Sequence, residues 1–151
     1  MAKEILDYLK SKQIKFLLPI DVVEADYFSN DANIKIVAAD KIESNMMGLD
    51  IGPETVILFE AEILKAKTIV WNGPMGVFEM PKFSEGTLSI GRAMAKATSL
   101  GAITIVGGGD SVSAINQMKL QKEISHISTG GGASLEFLEG KILPGITALE
   151  I

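Results

Sequence analysis

Two glycine triplets carry the most legible chemistry in this chain. Gly107-Gly108-Gly109 runs into Asp110 and Ser111, and Ser128-Thr129 leads into Gly130-Gly131-Gly132 and then Ala133-Ser134. Each triplet follows a short apolar run and opens a helical pattern, so the two segments echo each other. Consecutive glycines leave the backbone free to take positive φ and let a ligand approach closely. Their amides, joined to the unpaired amides of the following helix, make a concavity suited to an anion. One such loop alone is as readily a tight turn. Two in matching positions at one sheet edge suit a polyphosphate. Neither is a G-x-x-x-x-G-K-[ST] loop. The dinucleotide pattern G-x-G-x-x-G also fails, because Val112 stands where its last glycine belongs.

Asp110 admits two roles. It can cap the helix that follows, or hold a magnesium ion beside phosphates, since that hard cation prefers carboxylate oxygen. A third loop runs Trp71-Asn72-Gly73-Pro74-Met75-Gly76-Val77-Phe78-Glu79. Read as a turn, Asn-Gly-Pro punctuates the chain, and Val77 and Phe78 enter the core. Read as a ligand loop, Glu79 accepts ribose hydroxyls while Val77 and Pro74 press on an apolar ring. Position alone leaves both readings open. His126, the single histidine, stands within an apolar run with no Cys or second His near it, which favours a structural role over metal ligation. Ser111 and Ser134 have no base beside them in sequence, so no Ser-His-Asp arrangement can be argued. Phosphoryl transfer depends on cations clamping the moving phosphate. None of the 14 Lys and Arg residues lies in the three glycine-bearing loops, Lys67 and Lys82 coming nearest. A kinase site here must draw its cations from elsewhere.

The elements that position these loops follow from hydrophobic patterning. Apolar runs at residues 15–18, 68–71, 102–106 and 124–127 predict buried strands, and Ile34–Ala38 is a weaker candidate. Helical patterns cover residues 3–12, a stretch opening at Pro53, and residues 84–100 up to Gly101. Shorter helices follow Asp110 and Gly132, the second ending at Gly140. Strand–helix alternation implies a parallel sheet with helices on both faces, a three-layer α/β/α, Rossmann-like fold. Ligands then collect at the carboxyl ends of the strands, where the glycine loops lie.

Bulk properties remove several classes of function. A chain of 151 residues, 47% hydrophobic and 22% charged, has room for one globular domain with a core. Its apolar runs fall far short of the roughly 20 residues of a membrane helix, and residues 1–10 do not read as a signal peptide. The absence of cysteine excludes disulfides and thiolate metal sites and fits a cytoplasmic setting. With 19 acidic residues outnumbering scattered basic ones, nucleic acid is not an expected partner.

The loops also resemble a known family. WNGPMGVFE from Trp71 to Glu79, GGGDS from Gly107 to Ser111, and SHISTGGGASLEFLEGK from Ser125 to Lys141 are similar, in order, to phosphoglycerate kinase. The run Met47-Gly48-Leu49-Asp50-Ile51-Gly52-Pro53 joins them. The resemblance implies phosphoryl exchange between ATP or ADP and the phosphoglycerate partner, a glycolytic step using Mg2+. It places Leu49, Asn72, Pro74, Val77 and Glu79 around adenine and ribose. Gly108, Gly109, Asp110 and Ser111 fall in the magnesium–phosphate loop, with Asp110 as the metal ligand. Gly109, Gly130, Gly131 and Gly132 fall at the catalytic position beside the transferred phosphoryl group.

Departures from the family pattern carry their own expectations. The family's N-terminal domain, which binds 3-phosphoglycerate, has no counterpart here. Its Gly-Gly-Ala-Lys and Gly-Gly-Gly-Met segments, central in the C-terminal sheet, are missing too. Residues 1–151 therefore read as a partial C-terminal nucleotide-binding domain, inactive by itself. Unpaired strand edges left in such a sheet predict self-association or low stability. The competing readings are a non-catalytic Mg-nucleotide-binding module and an inert, self-associating polypeptide.

Overall fold

The computed structural model describes residues 2–149. Two three-stranded sheets organise them. The first is antiparallel: β1 (Asp21–Ala25) lies between β2 (Ile34–Ala38) and β3 (Met47–Ile51). The second is parallel, in the order β4 (Thr68–Asn72), β5 (Ile103–Gly107), β6 (His126–Ser128). The helices are α1 (Ala2–Ser11), α2 (Pro53–Ile63), α3 (Glu85–Ser99), α4 (Gly109–Gln117), α5 (Gly131–Leu138) and α6 (Pro144–Thr147). None is long and apolar enough to cross a membrane.

The helix ends follow local chemistry. Pro53 opens α2, where a missing amide hydrogen costs nothing. After α3, Gly101 takes φ +91°, the left-handed turn that stops the helix. Trp71 and Val106 face the main core, packing with Ile51, Ile90, Met94, Ile115 and Ile124, and Phe59 and Ile63 of α2 close over it. A smaller core of Ala25, Ala32, Leu49 and Phe83 lies under the antiparallel sheet.

The α/β class and the parallel strands at residues 68–71 and 102–106 match expectation. Other points differ, beginning with β1 and β3, which the apolar runs did not predict. Residues 15–18 form no strand: Phe16 and Leu18 are half exposed, and no ladder partner lies beside them among the described residues. The segment is held by side chains instead, Lys15 pairing with Glu62 of α2 at 2.5 Å and Leu17 lining a hollow with Val70 and Trp71. An apolar run becomes a strand only where a neighbour supplies its hydrogen bonds. Ile34–Ala38 is a strand, but it pairs antiparallel with β1 outside the parallel sheet. The last strand is shorter than its apolar run, and His126 is its first residue, exposed, rather than an interior one.

The opposite face of the parallel sheet is only partly covered. Val70 and Ile105 line a hollow of about 460 Å³ with Phe137, Leu138, Leu143 and Ile146. Val70, Phe137 and Leu138 are exposed there, and β4 forms one edge of the sheet with no strand beyond it among the described residues.

Candidate functional site

Parallel pairing brings three loops to one edge. Asn72 pairs with Gly107, and Gly107 with Ser128, so the chain leaves β4, β5 and β6 at the same level. Immediately beyond, Gly108 turns with φ +89°. A Cβ at Gly108 would lie 2.6 Å from Asn72 Oδ1, and one at Gly131 would lie 2.6 Å from Gly108 Cα. Any side chain at Gly131 would therefore push two backbones apart. The three loops expected to carry the chemistry form one close-packed rim.

The rim presents two helix N-termini without side-chain caps. Gly108 stands at the N-cap of α4 and Gly130 at that of α5, and neither helix has a side-chain capping bond. First-turn amides of a helix lack intrahelical acceptors and carry positive partial charge, the arrangement that suits phosphate. Asp110 is not the cap. It lies in the first turn of α4, exposed, because the helix starts at Gly109, two residues earlier than a cap at Asp110 requires. Ser111 is buried, and its hydroxyl accepts the Gly73 amide at 2.7 Å, tying α4 to the loop after β4. Gly109 and Gly132 have open space where a side chain would stand. Ser134 donates to the Gly130 carbonyl at 2.9 Å and steadies the second triplet.

Next to the rim lies a hollow of about 460 Å³ lined by Leu49, Pro74 and Val77, together with Asp50, Met75 and Gly76. The structure thus brings together three of the residues assigned to a base. Asn72 stands at the rim itself, whereas Glu79 is exposed and outside that lining. Phe78 is buried, as the turn reading required.

Sequence reasoning passed over Asp50 and Thr87. Asp50 is buried, with Oδ2 accepting the Gly86 amide at 2.8 Å and Oδ1 accepting the Ile51 amide at 2.9 Å. Burial pushes its carboxyl up to about 6 against the pull of those amides, and Glu85 adds to the rise. The only signal for Asp50 was a carboxylate inside the apolar run Leu49-Asp50-Ile51, and its partner is 36 residues away. Thr87 left no signal, being one polar residue within a helical pattern.

Two of the basic side chains already have partners. Lys82, one of the two nearest in sequence, spends its ammonium on the Ala32 carbonyl at 2.9 Å. Arg92 is engaged with Glu85 and Ser89. Among the described residues no three His, Cys, Asp or Glu side chains converge as a metal cage.

Comparison with known proteins decides the family. A model of the family described as "Phosphoglycerate kinase" matches residues 1–141. The chain belongs to the phosphoglycerate kinase family. A phosphoglycerate kinase from Chloroherpeton thalassium is 60% identical over 149 residues, spanning 99% of this chain and 38% of that protein. The chloroplastic phosphoglycerate kinase of Volvox carteri is 53% identical over 150 residues, covering 32% of its own length. The solved structure of phosphoglycerate kinase from Coxiella burnetii superposes with a TM-score of 0.89 at 43% identity, covering 97% of this chain and 37% of that one. The chain therefore spans less than two fifths of the length of the phosphoglycerate kinases it matches.

Proposed function

We propose that residues 1–151 are a partial C-terminal nucleotide-binding domain. In this reading it carries the Mg-nucleotide side of a site that exchanges a phosphoryl group between ATP and 3-phosphoglycerate. The observation that carries this reading is the shared rim, where Asn72, Gly108 and Gly131 touch below two uncapped helix N-termini. Amides of Gly109, Asp110 and Ser111 at α4, and of Gly131 and Gly132 at α5, are placed to take phosphate oxygens. Leu49, Pro74 and Val77 take the adenine face, with Asn72 and Glu79 toward the ribose. Gly109 and Gly130–Gly132 let the transferred group come close to backbone.

One carboxylate at the rim, without a protein cage, fits magnesium that arrives on nucleotide phosphates, because Mg2+ commonly takes one or two carboxylates plus substrate oxygens. Bound there, the ion neutralises phosphate charge, and Asp110 is the residue that would hold it. No lysine or arginine lies in the rim loops, so the chain by itself lacks the clamp that phosphoryl transfer needs and is inactive alone. The 3-phosphoglycerate site and the cations lie outside residues 1–151 in this reading. A cytoplasmic, glycolytic setting completes the reading.

Titrating Mg-ADP tests the first half: saturable binding is expected, weakened by Asp110→Ala. Kinase assays with and without the N-terminal region of a family member test the second. Activity restored by mixing, and absent before it, is the expected result. Failure of both overturns the assignment.

A second reading, self-association without catalysis, is favoured by the unpaired edge of β4 and the apolar face beside it. Sedimentation would show concentration-dependent oligomers. A monodisperse, cooperatively melting monomer would contradict it.

A further inference from the structure

The loop of residues 73–77, which forms one wall of the hollow lined by Leu49, Pro74 and Val77, is held by a set of contacts around two side chains. Asp50 and Thr87 both contact it. The Thr87 hydroxyl, fully buried, accepts the amides of Met75 at 3.0 Å and Gly76 at 3.3 Å. The Asp50 carboxylate fills the space against Gly76, where a Cβ would lie 2.3 Å from Oδ1. It fills the space against Gly86 equally closely, and it accepts the Gly86 amide at 2.8 Å. That bond fixes the first turn of α3, the turn from which Thr87 reaches the loop. The Val77 amide donates to the Leu49 carbonyl at 2.9 Å, so the loop is also stitched to β3 beside Asp50.

These contacts form a chain from β3, through Asp50, to the start of α3, through Thr87, to the amides of Met75 and Gly76. A helix cap alone would need only the bond to Gly86. The additional wedge at Gly76 and the double acceptance by Thr87 act on the loop, not on the helix. We propose that Asp50 and Thr87 are positioning residues. They set the shape of the 73–77 wall, and through it the discrimination between a nucleotide base and bare polyphosphate. The proposal rests on the nucleotide reading of the hollow, and its test separates the two.

Two probes divide the site, Mg-ADP and Mg-pyrophosphate, titrated calorimetrically into the 151-residue chain and its variants. Thr87→Val keeps shape and removes the acceptor. It should weaken Mg-ADP about tenfold, the scale of one buried hydrogen bond lost with its partners left unpaired. Mg-pyrophosphate, which reaches only the glycine rim, should stay within about twofold on the same scale. Thr87→Ser should restore Mg-ADP binding, and Asp50→Ala should follow Thr87→Val. Amide exchange at Met75 and Gly76 should accelerate in Thr87→Val without nucleotide present. Trp71, the single tryptophan, donates its indole N–H to the Gly73 carbonyl at 2.7 Å and should become more accessible to a quencher. Equal weakening of both probes, or unchanged exchange at those amides, overturns the positioning role. An unaltered chain that binds pyrophosphate but not Mg-ADP overturns the base reading, while amide exchange still decides the clamp. Should Asp50→Ala fail to fold, the Thr87→Val and Thr87→Ser pair carries the test alone.

Discussion

The N-termini of α2 and α3 are filled by aspartates from distant segments, whereas those of α4 and α5 carry no side-chain cap. At α2, Asp21 accepts the amides of Glu54 at 3.0 Å and Thr55 at 2.7 Å, and the Thr55 hydroxyl at 2.6 Å. At α3, Asp50 accepts Gly86. Both carboxylates are buried between the antiparallel sheet and a helix, and both join parts of the fold. The α4 and α5 ends instead face the common rim of glycines. The same physics, positive partial charge on first-turn amides, serves two ends. An internal carboxylate uses it for cohesion. Left open and grouped, it becomes an anion site.

Substitutions on the two sides should therefore behave differently. The largest effect belongs to Asp21→Ala, which strands two amides and leaves the Thr55 hydroxyl only the main-chain carbonyl of residue 21. A loss of roughly 3 to 5 kcal/mol is expected from urea unfolding, given the cost of buried groups left without partners. Burial works to raise the Asp21 carboxyl, but its bonds from Thr55 and Glu54 outweigh that and hold it below its ordinary value. Its contribution is thus present above the ordinary carboxylate range and lost as pH falls through the depressed value.

Asp50 should show the opposite sign. Raised to about 6, it binds a proton more tightly folded than unfolded. Stability from this group is full below its unfolded value and lost as pH rises toward and through 6, by about 3 kcal/mol at most. Asp50→Asn should flatten that part of the profile, read as urea midpoints between pH 4 and 7.

Smaller effects belong to the open pair. Gly131→Ala places a methyl against the Gly108 backbone and should cost about 1 to 2 kcal/mol, while Gly132→Ala, with nothing within 4 Å, should stay within about 0.5 kcal/mol. Asp110→Ala should be smallest of all in stability, within about 0.5 kcal/mol, because the side chain is exposed. Its effect should appear in Mg-nucleotide affinity instead. A large stability loss at Asp110, or none at Asp21, would break the contrast.

How much was legible differs by the range of the forces involved. The glycine triplets, the helix starting at Pro53 and the stop at Gly101 are local features, and each was readable because its cause lies within a few residues. The strand proposed at residues 15–18 failed because a strand exists only in relation to a partner. Ile34–Ala38 was readable as extended, but its antiparallel pairing with β1 was not. His126 looked interior because its neighbours are apolar, yet it opens β6 at the surface.

The sequence by itself determined the chemistry on offer: two amide-rich loops, one carboxylate beside them, an apolar loop nearby, and no cations among the three. Those are properties of residue type and spacing. Tertiary structure alone decided that Gly131 meets Gly108, that Ser111 belongs to the loop after β4, and that Asp21 and Asp50 close helices 33 and 36 residues away. Such contacts depend on the register of the parallel strands and the packing of one sheet against the other's helices. No local pattern encodes the distance between them.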